Sequence, residues 1–308
     1  MTRKKNPFLL GLVLLIAVSA SGQDKVWADS SYYQASKLPQ YNEFVNNLYA
    51  FPPKPRNMWE VGVKVGSPSV EGDVSSIFPS FGWGVHARKS LGYILSLRME
   101  FVNGTALGQN WQVSGNYMNN PAWARNGYRG NTRTTSGVDQ VYYNYKNRFS
   151  DLSVQGIINL NNIRFHKAQN KFNIYAIVGA GLTWYDVKVN ALNGTQKYDF
   201  NRIASGGFTN RKDVKDQLKQ MMDDTYETEG EDAGRTWPNP RFSATFGGGV
   251  AVRLSRRLNI ALEDRITVMR DDLLDGQRWA AQPLGDPSMT RSYDILNYLS
   301  LGLNINIF

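Results

Sequence analysis

The feature that most constrains this chain is a hydrophobic period of two, repeated over eight separate segments. Successive side chains of a β-strand point to opposite faces, so apolar residues at every second position mark a strand with one greasy face. Residues 57–67 set Trp59, Val61, Val63 and Val65 against Glu60, Gly62, Lys64 and Gly66. Residues 80–89 oppose Phe81, Trp83, Val85 and Ala87 to Gly82, Gly84, His86 and Arg88, and residues 93–101 oppose Tyr93, Leu95, Leu97, Met99 and Phe101 to Ser96, Arg98 and Glu100. The pattern recurs over 142–160, 171–189, 241–254, 258–268 and 295–308, with Tyr175 and Ile177 breaking the polar face of the fifth segment. The number of segments is even, and the spacing predicts an all-β fold.

The connections alternate in length. Short ones follow the second, fourth and sixth segments, at Lys89-Ser90-Leu91, 161–170 and Ser255-Arg256-Arg257. Long ones fall at about 68–79, 104–138, 190–240 and 271–294. An even set of antiparallel strands with short turns at one end and long loops at the other is the pattern of an outer-membrane barrel, where short turns face the periplasm. A soluble barrel turns its apolar side chains inward and has no reason to collect its long loops at one end.

Composition supports the same reading. Eight Trp, 16 Tyr, 14 Phe and 28 Gly coexist with a mean hydropathy of −0.42. Lipid-facing and lumen-facing residues cancel in such an average although one whole face is apolar. The expectation is an eight-stranded antiparallel up-and-down transmembrane β-barrel over residues 57–308.

Arg3, Lys4 and Lys5, the apolar run Phe8–Val18 and Ala20-Ser21-Gly22 form the three parts of a secretory signal peptide, which assigns residues 1–22 to a cleaved leader. Residues 23–56, ending in Phe51-Pro52-Pro53-Lys54-Pro55, are read as a periplasmic N-terminal arm. No cysteine occurs, which excludes disulfides, thiolate metal sites, a cysteine nucleophile and a lipid-modified cysteine anchor. Of the net charge of +9, three positive charges belong to the leader, leaving +6 dispersed among acids. That dispersal argues against a nucleic-acid track and suits a surface near anionic lipid.

The polar parity carries charges of both signs: Glu60, Lys64, Arg88, Arg98, Glu100, Asp151, Arg253, Glu263 and Arg265. An eight-stranded barrel leaves only enough interior for side chains to fill, and an unpaired buried charge costs several kcal/mol. These nine residues are therefore expected to form a lumenal charge network that plugs the barrel, with a narrow ion path as the alternative. Trp59, Phe101, Trp184, Tyr185 and Phe242 fall near strand ends and are assigned to aromatic girdles at the lipid headgroups. Val214, Leu218, Met221 and Met222 recur at helical spacing between Asp213 and Asp224, which indicates a short amphipathic helix packed on its own loop.

Catalysis finds little support. Only His86 and His166 occur, one on the lumenal parity and one in a short turn, so no Ser-His-acid cleft of the outer-membrane lipase kind is formed. No metal-ligand spacing appears, no cofactor is implied, and the Asn103-Gly104-Thr105 and Asn193-Gly194-Thr195 glycosylation patterns are chance matches in a bacterial export product.

The approach Phe51-Pro-Pro-Lys-Pro-Arg-Asn-Met-Trp-Glu-Val-Gly-Val-Lys-Val-Gly66, the strand Phe172–Leu182 and the ending Tyr298–Phe308 together resemble the barrel half of OmpA-like outer-membrane proteins. The ending is also similar to the C-terminal assembly signal of such barrels, with Ser300, Gly302, Ile305 and Ile307 in the signal positions and Phe308 on the lumenal parity. The resemblance implies outer-membrane lipids and the barrel-assembly machinery as partners. It further implies peptidoglycan as a partner if a binding domain follows residue 308. The function expected is that of an envelope anchor or scaffold. The alternatives are a small-solute porin, or a barrel subunit of a secretion or adhesion assembly whose partner grips loop 190–240.

Overall fold

The computed structural model describes residues 58–92, 94–114, 116–129, 139–162, 171–203, 208–230, 239–255, 257–280, 288–290 and 292–307. The leader, the N-terminal arm, His166, most of the turn at 161–170 and Phe308 lie outside the described residues. The described residues form one compact unit.

Eight long strands build it: β1 (Trp59–Glu71), β2 (Ser76–Ser90), β3 (Leu95–Gln109), β4 (Asn144–Asn159), β5 (Phe172–Val189), β6 (Arg241–Arg253), β7 (Leu258–Met269) and β8 (Ile295–Ile307). Each pairs antiparallel with its sequence neighbours. The ring closes where β1 meets β8, from Trp59↔Ile307 to Glu71↔Ile295. A closed ring leaves no strand edge with unpaired backbone groups, which is the condition for a sheet to survive in hydrocarbon. The architecture is the up-and-down barrel that the alternation implies.

The outward parity forms a continuous apolar belt. Val63, Val65, Phe81, Leu97, Met99, Phe172, Phe242, Leu262 and Leu301 are each 47–70% exposed. Apart from Phe208, Met289 and Tyr293, the large exposed apolar side chains among the described residues lie on barrel strands or beside their ends. Such an area far exceeds the few hundred Å² of contiguous apolar surface that a water-soluble monomer tolerates. On β5 the belt runs from Phe172 to Leu182. Ten residue steps of ~3.3 Å, tilted by ~40°, give a height of ~25 Å, which matches an outer-membrane core. Its upper rim is polar: outward Asn103 donates to Ser150 Oγ at 2.9 Å, and outward Asn297 to Asp264 Oδ1 at 2.9 Å.

Two boundaries differ from the sequence expectation. The first long loop, 68–79, is largely strand. Pro68–Glu71 pair with Ile295–Tyr298 of β8 and Ser76–Ile77 with Leu107–Gly108 of β3, leaving the four residues Gly72–Ser75 as a tight turn. A bulge between Ile77 and Phe81 shifts the register of β2, and this interruption hid the continuation of the strand from a strict period of two. The second loop begins after Gln109 and not at 104, because β3 continues through Asn103–Gln109 paired with Asn144–Ser150. Three loops therefore remain at the upper end. They carry the helices α1 (Pro121–Ala124) and α2 (Arg211–Met221) and a small hairpin pairing Leu192–Asn193 with Gln196–Lys197.

Candidate functional site: a filled lumen and its cap

The lower half of the lumen holds a balanced ion cluster. Lys64 Nζ lies 2.5 Å from Glu100 Oε2 and 2.6 Å from Glu263 Oε2. Arg98 Nη1 donates to Glu263 Oε1 at 2.6 Å, and Arg265 Nη1 reaches Glu100 Oε1 at 3.0 Å and Asp151 Oδ1 at 2.8 Å. Three cations face three carboxylates, all at most 3% exposed. Each carboxylate takes two or more donors, the arrangement in which mutual attraction in a low-dielectric interior offsets the desolvation of both partners.

Six of the nine residues singled out by parity thus meet in one cluster. Glu60 and Arg88 pair below it, at 3.4 Å, with His86 Nε2 3.8 Å from Glu60. Arg253 stands at the turn end, its Nε donating to the backbone carbonyl of Ser255 at 3.0 Å.

The cluster recruits neutral residues that charge alone did not single out. Gln155 accepts from Arg98 Nε at 2.7 Å, Tyr175 donates to Glu263 Oε1 at 2.6 Å, and Thr183 donates to Asp151 Oδ2 at 2.8 Å. Tyr175 and Ile177, which interrupt the polar parity of β5, are inward and buried, and Ile157 packs with them. Several of these contacts skip a strand, and glycine makes the skip possible. Lys64 is registered with Gly84 on β2 and Gly302 on β8, yet its partners sit one strand further on, on β3 and β7. A Cβ on Gly84 would stand 3.1 Å from Lys64 Cγ. Inward glycines among long charged side chains were the sequence signal for this cross-lumen bonding.

Above the ions the lumen turns apolar. Val102, Ala106, Tyr145, Phe149, Tyr185, Leu296 and Tyr298 point inward and are at most 2% exposed. Tyr185 is therefore not a girdle residue. It shares the inward parity of Thr183 and Val187, and its hydroxyl donates to Asp271 Oδ2 at 2.6 Å. Trp59 and Phe242 are exposed on the outward face, Phe101 packs edge-on against Trp83, and Trp184 is half-buried on the same parity as Leu182.

This apolar layer is continuous with a cap made by the three loops. Trp123 and Tyr128 from the second loop pack edge to face at 5.2 Å, and Tyr128 stacks on Phe200 of the third loop at 6.2 Å. Tyr142 and Tyr198 close on the same Phe200 ring at 5.8 and 5.3 Å. The fourth loop is bound in by Asn147 Nδ2 to the carbonyl of Leu274 at 2.6 Å, Asn120 Nδ2 to that of Gly276 at 3.0 Å and Asn116 Nδ2 to that of Ala280 at 2.8 Å. Val214 and Leu218 of α2 belong to this core with Met222. The helix therefore packs on a core shared by all three loops, not on its own loop alone.

Beneath the cap, burial together with the charge of Asp73 raises the carboxyl of Asp275, and burial together with the charge of Asp275 that of Asp294, both far above the usual carboxylate range. Burial likewise pushes Asp73 up to about 6. Both deep carboxyls tie backbone: Asp275 Oδ2 accepts from the amides of Asp73 and Val74 at 2.7 and 2.9 Å, and Asp294 Oδ2 from those of Leu274 and Asp275 at 2.8 and 3.2 Å. Asp275 fastens the β1–β2 turn to the fourth loop, and Asp294 holds that loop's own backbone. Among the described residues no group of three or more His, Asp or Glu is arranged to hold a metal ion. A concavity of about 530 Å³ lies on the lipid-facing side, lined by Val61, Val63, Val85, Ala87, Met99 and Phe101.

The assembly-signal residues divide by parity on β8. Ser300 and Gly302 are buried toward the lumen, while Ile305 and Ile307 are 45% and 49% exposed on the belt.

No protein-family model matches the sequence, and no curated protein matches it. Among solved structures, the chain is similar to Ail, the attachment invasion locus protein of Yersinia pestis, at 9% identity and a TM-score of 0.38 over 82% of this chain and 99% of that one. Neisserial surface protein A gives 7% identity and a TM-score of 0.36 over 83% of this chain and 100% of that one. A major outer membrane protein of Thermus thermophilus gives 10% identity and a TM-score of 0.38 over 81% and 99%.

Proposed function

We propose that this chain is an OmpA-like barrel of a Gram-negative outer membrane whose role is structural: a closed, lipid-embedded anchor that carries a folded cap at the cell surface. The observation that carries this reading is that side chains meet across the lumen at two levels, in the six-residue ion cluster below and in the aromatic layer and cap above. A barrel built to pass solutes keeps a polar, hydrated interior, and the ion pairs and aromatic side chains that meet across this narrow lumen among the described residues support a closed barrel instead. The belt height and the absence of a free strand edge support the membrane location. The C-terminal residues Ser300, Gly302, Ile305 and Ile307 support assembly by the barrel machinery, and a domain that follows residue 308 would tie the anchor to peptidoglycan.

The test is protease treatment of intact cells expressing the full chain. Cleavage within the cap with retention of a membrane-embedded barrel fragment, from cells whose periplasmic markers stay intact, is the expected result. Cleavage only after the outer membrane is opened would overturn the orientation, and recovery in the soluble fraction would overturn the location.

A further inference from the structure

The cap carries a cationic flank that is not neutralised by ion pairs among the described residues. Helix α2 turns Val214 and Leu218 into the cap core. At ~100° per residue, Arg211, Lys215, Lys219 and Lys212 then fall within an arc of ~100° on one side of that buried line, while Asp213 and Asp216 fall outside it. Arg211, Lys212 and Lys219 are exposed and Lys215 is half-exposed. Among the described residues none of the four is in an ion pair. Arg211 and Lys212 also stand in the first turn, where the helix dipole disfavours cations, so their position does not serve the helix itself.

Phe208 is 67% exposed, with the Arg211 guanidinium 4.0 Å from its ring centroid and Trp111 edge-on at 6.1 Å. An exposed aromatic ring under a guanidinium offers an apolar face beside fixed positive charge.

We propose that this flank binds a linear anionic polysaccharide. Arg211, Lys215 and Lys219 follow one another at a rise of ~6 Å, so that successive cations meet successive carboxylate- or sulfate-bearing sugars. Phe208 stacks on the apolar face of one ring. A lipid surface fits less well, because the apolar side of α2 is spent on the cap core and the helix has no apolar row left to insert. The proposal rests on the reading of the cap as surface-exposed only for where the ligand is met; the binding itself is measured on purified protein.

The experiment uses the full chain in nanodiscs of neutral lipid, with heparin as the sulfated probe, polygalacturonate as the carboxylated probe, dextran as the neutral one and phosphatidylglycerol vesicles as the lipid arm. At least one charged polysaccharide is expected to bind, with affinity falling steeply between about 50 mM and about 300 mM salt. The variant K212Q/K215Q/K219Q is expected to bind about tenfold or more weakly, and F208A several-fold more weakly, while D213N/D216N binds no less tightly. Absent binding of both charged probes, affinity indifferent to salt, equal binding of dextran, or capture of vesicles without polysaccharide would each overturn the proposal. The salt series on the unaltered protein keeps the test decisive if the triple variant misfolds.

Discussion

Tyr175 on β5 donates its hydroxyl hydrogen to Glu263 on β7, at 2.6 Å, by passing over Gly249 of the intervening strand. All three are in register, Tyr175 with Gly249 and Gly249 with Glu263. A Cβ at Gly249 would lie 2.6 Å from the Tyr175 hydroxyl oxygen and 2.9 Å from Glu263 Cγ. The lumen is thus bonded across strands as well as along them.

Removal of this bond alone, by Tyr175→Phe, is expected to cost about 1.5–3 kcal/mol, the range for hydrogen bonds to charged acceptors. Gly249→Ala forces the same two side chains apart and is expected to cost about 1–3 kcal/mol as an overpacked site. Equilibrium urea unfolding in lipid bilayers measures both. Since the two changes disturb one contact, their combination should cost clearly less than the sum.

Lys64 neutralises two carboxylates at once. Lys64→Met leaves Glu100 and Glu263 short of a shared cation and is expected to destabilise the barrel by about 3–5 kcal/mol. Adding Glu263→Gln to that variant should recover part of the loss, which unfolding of the double variant would show. Strictly additive losses would mean that the cluster is not coupled.

The cap should loosen as pH rises. Asp275 and Asp294 keep their protons in the folded cap well above the ordinary carboxylate range but release them near pH 4 when exposed, so between those limits the folded state holds more protons. Their contribution is full in acid and is lost progressively as pH climbs through neutral toward the raised values. Asp294→Asn keeps an oxygen acceptor for the amides of Leu274 and Asp275, and should flatten this dependence and stabilise the cap at pH 8. The rate of limited proteolysis of the loops from pH 5 to pH 9 reads it directly; a rate that falls with rising pH would contradict it.

Leu218 ties α2 into the cap core. Leu218→Ala is expected to cost the cap about 2–5 kcal/mol and to expose residues 211–221 to protease. The barrel itself should stay folded, as shown by its unchanged migration when unheated in SDS gels.

The barrel was legible because one physical period governs it: the lipid demands apolar side chains on the outward parity across the belt, so all eight strands show in the sequence. The ion cluster was legible for a related reason, since charges on the inward parity of a narrow ring have nowhere to go but to one another. Tyr175 and Ile177 looked like breaks because the inward face must be filled and need not be polar. Tyr185 was misplaced at a girdle because position near a strand end was weighed above parity. The cap left no periodic trace, because Trp123, Tyr128, Tyr142, Tyr198 and Phe200 meet through loop geometry that no regular spacing encodes.

The claim that the barrel is a closed anchor is tested most directly by single-channel conductance of the purified full chain in planar bilayers. A filled lumen under a folded cap should give a silent bilayer, and Lys64→Met or Leu218→Ala should give at most brief, irregular openings. A long-lived conductance of uniform size from the unaltered protein would contradict the plugged lumen and return the chain to the porins.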